Sequence, residues 1–529
     1  MVELDSAPAT SPPVRSRWPL RVVEAVLLLV TLGVALRFRV TNLDAYTGSF
    51  DEGIRSQQLL LMAAGYRPFR DIFASQGPLL LDLLYPFYLL FGQSLAAARS
   101  GVVACSIVAL AGSWWAVRAA VGGTISGVAG GLAAAVILAI SPSFFEGSRL
   151  ALAEIPTIAP AVLALAALLA YRTGGRRHWL ILSAACCALA VLIKPMVLHV
   201  GAPIAVLLLV AGRATGSRRW HWRRALLDVL LYGAVAGGLS ALVVALLGPA
   251  QVWDNLGAYR TGAGSGAGAN LATNLRLTVK IMRGEQPGLF VLAAVGVALG
   301  LWRRPVVTVA LLAWAGAVLG LFAVYGDLAD KHIVYLTPPV ALLAALGAGL
   351  ACDAVWSAVR GPRGAQSGGM RQRPRRAFGA RVAALLGLVG LLAYAATVPT
   401  ILRADQYVLR EAPKVAAERR GRAIDAEIAE IIRSHTPPDG WVLADNPSAA
   451  FDARRKVIPY LVDTSGTRVD AGSLTAALAT EYVQRYQPSV IVTWPRRLGK
   501  LDAFVRQLPE LGYRHERSYD LGWKVYVRE

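Results

Sequence analysis

Long apolar runs recur through the first 400 residues of the chain. A helix needs roughly 20 apolar residues to cross the hydrocarbon core of a bilayer. Runs of that length, or somewhat shorter, predict about eleven membrane-spanning helices, with the shortest ones around 178–212. We place them near 22–38, 95–117, 122–141, 154–171, 178–193, 197–212, 225–247, 288–302, 305–325, 333–353 and 381–401.

The composition agrees with this hydrophobic pattern. Hydrophobic residues make up 55% of the 529-residue chain and charged residues only 16%, whereas soluble proteins carry roughly 25% charged residues. This balance excludes a soluble enzyme, a disordered scaffold and a disulfide-stapled secreted module. The four cysteines lie in apolar runs, without the spacing of a zinc site or of a disulfide framework. The sequence therefore predicts a polytopic membrane protein.

The positive charge of the chain is concentrated in every second loop between the predicted spans. Lys and Arg total 54 and Asp and Glu total 33, so the net charge is +21. Loops rich in Lys and Arg lie on the cytoplasmic side of a membrane, and this explains the charge better than a nucleic-acid partner, which we do not expect. The basic residues lie at 15–21, 118, 172–177, 213–224, 303–304 and 360–381.

The same pattern gives the orientation and the domain organisation. An odd number of crossings of the inner or plasma membrane places the N-terminus in the cytoplasm and the C-terminus outside. We expect a cytoplasmic tail at 1–20, a transmembrane domain at 21–402 and an extracytoplasmic α/β domain at 403–529.

Two outer loops of the transmembrane domain stand out. The long loop 39–94 contains an apolar stretch at 78–88 that is too short and too interrupted by Pro to cross the membrane, so we expect an interfacial helix there. The glycine-rich stretch 261–268 lacks the P-loop pattern, which favours a mobile flap over a phosphate-binding loop.

The C-terminal segment has the composition of a soluble domain. Apolar periodicity predicts helices at 424–434, 474–486 and 501–508 and buried strands at 441–444 and 490–494. Asp445, Asn446 and Asp452 can line a glycan site, but turn residues between a strand and a helix have the same pattern. We expect this domain to dock the acceptor or to act structurally.

Charged residues gather at the outer ends of the predicted spans, where they are costly unless they have a function. Asp51 and Glu52 follow the first span, Glu154 begins the fourth, Lys194 ends the fifth and His332 begins the tenth. The plainer interpretations are helix caps, carboxylates favoured by a helix dipole, a snorkelling lysine and an interfacial histidine. Lys194, however, lies on the outer side against the charge bias, so it indicates an anionic partner.

Carboxylates and cations at one membrane face suit a reaction between a charged lipid head group and a polar acceptor. A carboxylate can deprotonate a hydroxyl group or hold a divalent metal ion. Cations can offset the charge of a phosphate leaving group. The sequence therefore favours group transfer at the outer membrane face.

Five short motifs carry a resemblance to a known family. They are Asp51-Glu52, the interfacial helix led by Gly77-Pro78-Leu79, Glu154 before Pro156, Lys194-Pro195, and the segment from His332 to Pro338-Pro339. Together they resemble the GT-C membrane glycosyltransferases over roughly residues 20–400. The nearest members are the aminoarabinose-transferase-like and protein-mannosyltransferase-like enzymes (glycosyltransferase family 39-like).

The resemblance implies a GT-C-like helical fold, which fits the about eleven transmembrane helices and the C-terminal soluble α/β domain predicted above from the hydrophobic pattern. It implies transfer of a sugar from a polyprenyl-phosphate donor to an extracytoplasmic glycan, lipid or protein, with release of the polyprenyl phosphate. Asp51 matches the catalytic carboxylate, expected to act as general base, Glu52 matches the second member of its pair, and Glu154 the acidic residue that begins span four.

The resemblance also implies a set of phosphate-binding residues and leaves a metal ion open. Lys194 matches the lysine that meets the lipid phosphate, and the further candidates are Arg55, Arg149 and His332. A divalent metal ion held by Asp51 and Glu154 is the one cofactor expected. Gln76 stands where the family often has Lys or His, so a phosphate contact there must be weaker or come from elsewhere.

The alternative function is a polytopic transporter or a lipid-linked glycan flippase. Transporters usually show internal repeats and ionisable residues near the bilayer midplane. The sequence shows no repeat, and its candidate residues lie at the outer ends of the spans. This distribution favours an enzyme.

Overall fold

The computed structural model describes residues 18–211, 222–258, 271–326, 328–360, 373–409 and 416–529. The predicted flap at 261–268 lies outside the described residues, as do the first 17 residues.

Helices joined by short loops make up most of the described part of residues 18–409. Their bounds are α1 Trp18–Val40, α2 Phe50–Ala63, α3 Leu80–Leu90, α4 Leu95–Val121, α5 Ile125–Ala139, α6 Pro142–Gly147, α7 Glu154–Gly174, α8 Arg177–Ile193, α9 Gly201–Ala211, α10 Trp222–Leu247, α11 Pro249–Trp253, α12 Leu271–Glu285, α13 Pro287–Arg303, α14 Pro305–Val324, α15 Thr337–Arg360 and α16 Arg373–Leu409. The 3₁₀-helices Pro195–Val200 and Asp330–Leu336 precede α9 and α15, and a π-helical turn spans Asp254–Ala258.

Six helical segments among the described residues are long and apolar enough to cross a membrane, and all six coincide with predicted spans. They are Leu95–Val121, Glu154–Gly174, Trp222–Leu247, Pro305–Val324, Asp330–Trp356 and Arg381–Gln406. A seventh is present if Leu271–Arg283 and Pro287–Arg303, which are bent by 97° to each other, form one broken span. The other predicted spans are present as α1, α5, α8 and α9, so the total of eleven crossings stays a prediction.

The helices bury one apolar core and expose apolar side chains on the outside of the bundle. Of the most apolar 18 residues in each span, 89% are buried in Glu154–Gly174 and all are buried in Asp330–Trp356, whereas 6% are buried in Trp222–Leu247. Leu29 and Leu246 are among the exposed apolar residues, at 68% and 77%. Outward-facing leucines fit contact with lipid, because lipid tails are as apolar as leucine.

The outer loop 39–94 contains two helices, α2 and α3. The predicted interfacial helix is confirmed as α3, which contains Pro86. The preceding helix α2 was not predicted as an element. Ser49 caps it by accepting a hydrogen bond from the backbone N–H of Glu52, and its buried face includes Ile54 and Leu61.

The C-terminal unit, residues 416–529, is an open α/β sheet with helices. Its elements are α17 Ala416–His435, β1 Trp441–Ala444, α18 Pro447–Asp452, β2 Lys456–Val457, α19 Gly466–Asp470, α20 Ala476–Tyr486, β3 Val490–Thr493, α21 Asp502–Gln507, β4 Tyr513–Ser518 and β5 Lys524–Arg528, with 3₁₀-helices at Pro459–Leu461, Leu498–Lys500 and Asp520–Gly522. The strand order is β2-β1-β3-β5-β4. The predicted strands at 441–444 and 490–494 and all three helices are present; β2 and the antiparallel pair β4–β5 were not predicted.

The inner face of this sheet shares a core with the outer loop of the membrane part. Val442, Val490 and Val525 of the sheet belong to one buried apolar cluster with Ile54 of α2 and Phe73 of the loop after it. The C-terminal unit is therefore packed on the first turns of α2, where Asp51 lies.

Candidate active site

Four segments that are far apart in sequence bring charged side chains into one cluster. Asp51 lies in the first turn of α2, and Glu154 is the first residue of α7. Lys194 directly follows α8, while Lys331 and His332 lie in the 3₁₀-helix that leads into α15. Each residue stands at a helix end because charged side chains are tolerated there and not in the apolar middle of a span.

Glu154 and Lys194 form the buried half of the cluster. Lys194 Nζ donates a hydrogen bond of 2.6 Å to Glu154 Oε1, and both side chains are about 5% exposed or less. His332 Nε2 lies 3.8 Å from the same carboxylate oxygen. His332 Nδ1 accepts a hydrogen bond from the backbone N–H of Ala329, which leaves the Nε2 proton directed to Glu154 in the neutral ring.

Asp51 and Lys331 form the accessible half of the cluster. The Lys331 ammonium donates to Asp51 Oδ2, and their side chains are 34% and 37% exposed. Burial acts to raise the pKa of Asp51, but the neighbouring Lys331 ammonium outweighs it, and the pKa lies below its ordinary value. Asp51 is therefore ionised and partly exposed at the surface of the protein.

The two halves are coupled electrostatically. Lys331 interacts with Glu154 as well as with Asp51, and Lys194 interacts with Asp51 as well as with Glu154. Arg55, one turn after Asp51 on α2, is buried and also interacts with Asp51. The predicted residues Asp51, Glu154, Lys194, His332 and Arg55 are thus brought together.

The loop before α3 is held against the cluster by backbone contacts. The N–H of Gly77 donates to the carbonyl of Ile193 at 3.1 Å. A Cβ on Gly77 would lie 2.2 Å from the carbonyl oxygen of Leu192, so only glycine fits. The neighbouring Gln76 has a buried Oε1 without a hydrogen-bond partner among the described residues. Gln76, whose side-chain amide can accept a further hydrogen bond, therefore directly precedes Gly77, which contacts Ile193 next to Lys194.

Glu52, predicted as the second catalytic carboxylate, is not directed into the cluster. It forms a buried ion pair with Arg99 at 2.6 Å and accepts hydrogen bonds from the hydroxyl of Thr47 and the N–H of Ala151. Adjacent residues of a helix point about 100° apart, and here Asp51 pairs with Lys331 while Glu52 pairs with Arg99. In this structure Glu52 links α2 to α4 through Arg99, and a catalytic role for Glu52 stays a prediction.

Arg149, predicted to bind the donor phosphate, also lies outside the cluster. Its guanidinium donates to the carbonyl oxygens of Phe38, Arg39 and Asn42 at 2.8–3.0 Å. Phe38 and Arg39 lie in the last turn of α1, where a cation is favourable. Asn42 follows the helix, and its carbonyl oxygen also accepts a hydrogen bond from the N–H of Ala45. Arg149 therefore satisfies carbonyl oxygens at the end of α1 in this structure, and its role in binding the donor phosphate stays a prediction.

The donor set does not favour the expected metal ion. No group of three or more His, Cys, Asp or Glu side chains suited to a metal occurs in the described part of the chain. Asp51 and Glu154 each already carry a lysine ammonium. Two carboxylates neutralised by lysines are poor ligands for a hard cation. Metal binding stays a prediction.

Two residues of the site were missed at the sequence level. Lys331 directly precedes His332 at the start of the apolar run 333–353. The sequence pattern that could have identified Lys331 is a lysine at the predicted outer end of a span, as for Lys194. Arg497 of the C-terminal unit interacts electrostatically with Asp51. It lies among other basic residues after strand β3, so no feature of the local sequence distinguishes it as a site residue.

Comparison with known proteins supports the resemblance inferred from the motifs. The family model described as dolichyl-phosphate-mannose-protein mannosyltransferase matches residues 75–237. A search of the curated proteins finds no match.

Solved structures of similar architecture cover nearly the whole chain. ArnT from Cupriavidus metallidurans in the apo state has a TM-score of 0.58 and 18% identity, covering 96% of this chain and 98% of ArnT. The same ArnT bound to undecaprenyl phosphate has a TM-score of 0.56 and 17% identity, covering 97% and 98%. The apo Archaeoglobus fulgidus oligosaccharyltransferase has a TM-score of 0.52 and 16% identity, covering 97% and 75%.

At these identities the likeness establishes the fold. Together with the family model over residues 75–237 and the six apolar spans, it confirms the resemblance stated from the motifs. The chain is therefore a multi-pass membrane protein with the fold of the GT-C membrane glycosyltransferases.

Proposed function

We propose that this protein transfers a sugar from a polyprenyl-phosphate donor to a hydroxyl group of an extracytoplasmic glycan, lipid or protein. The observation that carries the proposal is the cluster itself. It combines an ionised, accessible carboxylate, Asp51, with two ammonium groups, Lys194 and Lys331. ArnT, which has the same fold, has been crystallised with undecaprenyl phosphate.

The lysines bind the donor phosphate in this proposal. Lys194 is held by Glu154 at the rear, and Lys331 stands at the accessible front. A phosphate that enters between them gains two cations in a poorly solvated place, where such interactions are strongest. Arg55 adds positive charge from α2, so the site is electropositive enough to receive a lipid-linked anion.

Asp51 acts on the acceptor. Its carboxylate takes the proton of the acceptor hydroxyl while the acceptor oxygen forms a bond to the anomeric carbon of the sugar. The bond between that carbon and the phosphate oxygen breaks, and its electron pair leaves with the polyprenyl phosphate. Such a base must lie about 3 Å from the hydroxyl oxygen. Attack opposite the leaving phosphate inverts the anomeric configuration.

The position of the cluster favours this enzyme over a transporter. Its members lie at the ends of α2, α7 and α8 and just before α15, and they contact one another across one end of the bundle. A transporter places its coupling groups near the midplane, on broken helices.

The test is to incubate the purified full-length protein with a panel of polyprenyl-phosphate sugars and acceptor glycans and to measure released polyprenyl phosphate. We expect release with at least one donor, and its loss in Asp51→Asn. Asp44→Asn is the matched control, because Asp44 is an exposed carboxylate in the same outer segment. Unchanged turnover in a folded Asp51→Asn protein contradicts the role of Asp51.

A further inference from the structure

The C-terminal unit is fastened to the segment that carries Asp51 by several specific contacts. Ser75 donates a 2.8 Å hydrogen bond to Asp463 Oδ2, and Gln57 Nε2 donates 2.9 Å to the carbonyl of Arg455. A Cβ on Gly53 would lie 2.3 Å from Ser448 Oγ, so the two units approach to backbone distance there. Contacts this close fix the relative position of the two units.

One side chain of the C-terminal unit reaches the start of α2. The guanidinium carbon of Arg497 lies 3.3 Å from the centroid of the Phe50 ring, and Phe50 directly precedes Asp51. A planar guanidinium stacks well on an aromatic face. Arg497 also interacts electrostatically with Asp51 and Asp463.

Arg497 is itself held by the end of strand β1. It donates a hydrogen bond to the carbonyl oxygen of Asp445, which follows β1. The carboxylate of Asp445 accepts hydrogen bonds from the N–H groups of Trp494 at 2.7 Å and Leu498 at 3.0 Å, on both sides of Arg497. A chain of contacts thus runs from the buried sheet through Arg497 and Phe50 to Asp51.

We propose that Arg497 is a positioning residue of the transfer reaction, and that it sets the first turn of α2, with Asp51, by stacking on Phe50. This inference rests on the proposed function. In this inference the C-terminal unit, residues 416–529, helps to position the general base and does not serve only to dock the acceptor. A displacement of the general base by about 1 Å can lower the rate about 100-fold. Loss of the contact between Arg497 and Phe50 can therefore lower kcat if it lets the first turn of α2 move.

The test compares kcat and the donor KM of Arg497→Ala, Arg497→Lys and Phe50→Leu in the full-length protein. We expect Arg497→Ala to lower kcat about 10- to 100-fold with the donor KM within about twofold, and Arg497→Lys to recover part of the loss. Phe50→Leu combined with Arg497→Ala should lose no more than Arg497→Ala alone, because both act through one contact. Arg496→Ala is the matched control, since Arg496 is exposed and contacts Trp494.

Hydrogen–deuterium exchange of the peptide 49–63 supplies a readout that does not need activity. Exchange should rise in Arg497→Ala and stay unchanged in Arg496→Ala. Equal kcat values for the two alanine variants, a loss confined to the donor KM, or unchanged exchange in Arg497→Ala would each overturn the inference. If the wild-type protein transfers no sugar, the proposed function fails, and the exchange experiment alone decides whether Arg497 holds this turn.

Discussion

Asp51 and Lys331, 280 positions apart in the sequence, form an ion pair at the accessible end of the charged cluster. The pair joins the first outer loop to the segment that begins α15. The ammonium group of Lys331 can pair with a phosphate as well as with a carboxylate. Lys331 can therefore bind Asp51 before the donor enters and the donor phosphate afterwards.

Lys331→Ala should therefore lower kcat about 100-fold or more, the usual cost of removing one group that stabilises transition-state charge. Lys331→Arg should keep part of the activity because it keeps the charge. The measurement is released polyprenyl phosphate per folded protein. Lys280→Ala, at an exposed position of α12, is the control, and a Lys331→Ala protein as active as this control would contradict the role of Lys331.

Breaking the Glu154–Lys194 pair should destabilise the protein as well as inactivate it. Both side chains are nearly fully buried, and removing one partner of a buried pair typically costs about 3–5 kcal/mol. Glu154→Gln and Lys194→Met should each lower the temperature of thermal unfolding in detergent. The double variant Glu154→Gln/Lys194→Met should recover stability without activity. Recovery of activity in the double variant would show that neither residue serves the reaction.

Glu52→Gln should reduce the amount of folded protein more than the turnover of the protein that folds. The substitution leaves the buried Arg99 without an anionic partner, although its hydrogen bonds to the carbonyls of Leu43 and Ala45 remain. The measurements are thermal unfolding and kcat normalised to monodisperse protein. If stability is unchanged and kcat is lost, Glu52 is catalytic, as its sequence position suggested.

Gly77→Ala should disturb the backbone beside Lys194. Its Cβ would lie 2.2 Å and 2.6 Å from the carbonyl oxygens of Leu192 and Ile193, so the loop must move. We expect a lower unfolding temperature and at least tenfold lower kcat. Gly33→Ala in α1, where a Cβ meets nothing within 4 Å, is the matched control. Equal behaviour of the two variants would contradict the tight docking of this loop.

Asp445 should make the stability of the C-terminal unit depend on pH. Burial raises the pKa of Asp445 to about 7 from an ordinary value of 3.8. A pKa raised by folding means that the contribution to stability is fully present below about pH 4 and is lost as the pH rises through about 7. The unfolding temperature of the wild type should therefore fall relative to Asp445→Asn over this range. Asp439→Asn, at an exposed position, should follow the wild type, and parallel curves for all three proteins would refute the assignment.

The sequence by itself determined the membrane class and most of the cluster. Runs of apolar residues identify spans because the bilayer accepts little else, and all six long apolar segments were placed this way. Asp51, Glu154, Lys194 and His332 were found because a charge at the end of such a run is costly unless it serves a purpose.

Only the tertiary structure decided which charges share the site. Glu52 and Arg149 have the same local signals as Asp51 and Lys194, but the packing of α4 and α1 gives them structural partners. Arg497 reaches Asp51 only because the sheet is packed on α2. The sequence shows which residues are charged. Which group each buried charge pairs with is determined by contacts between segments that lie up to hundreds of residues apart in the sequence.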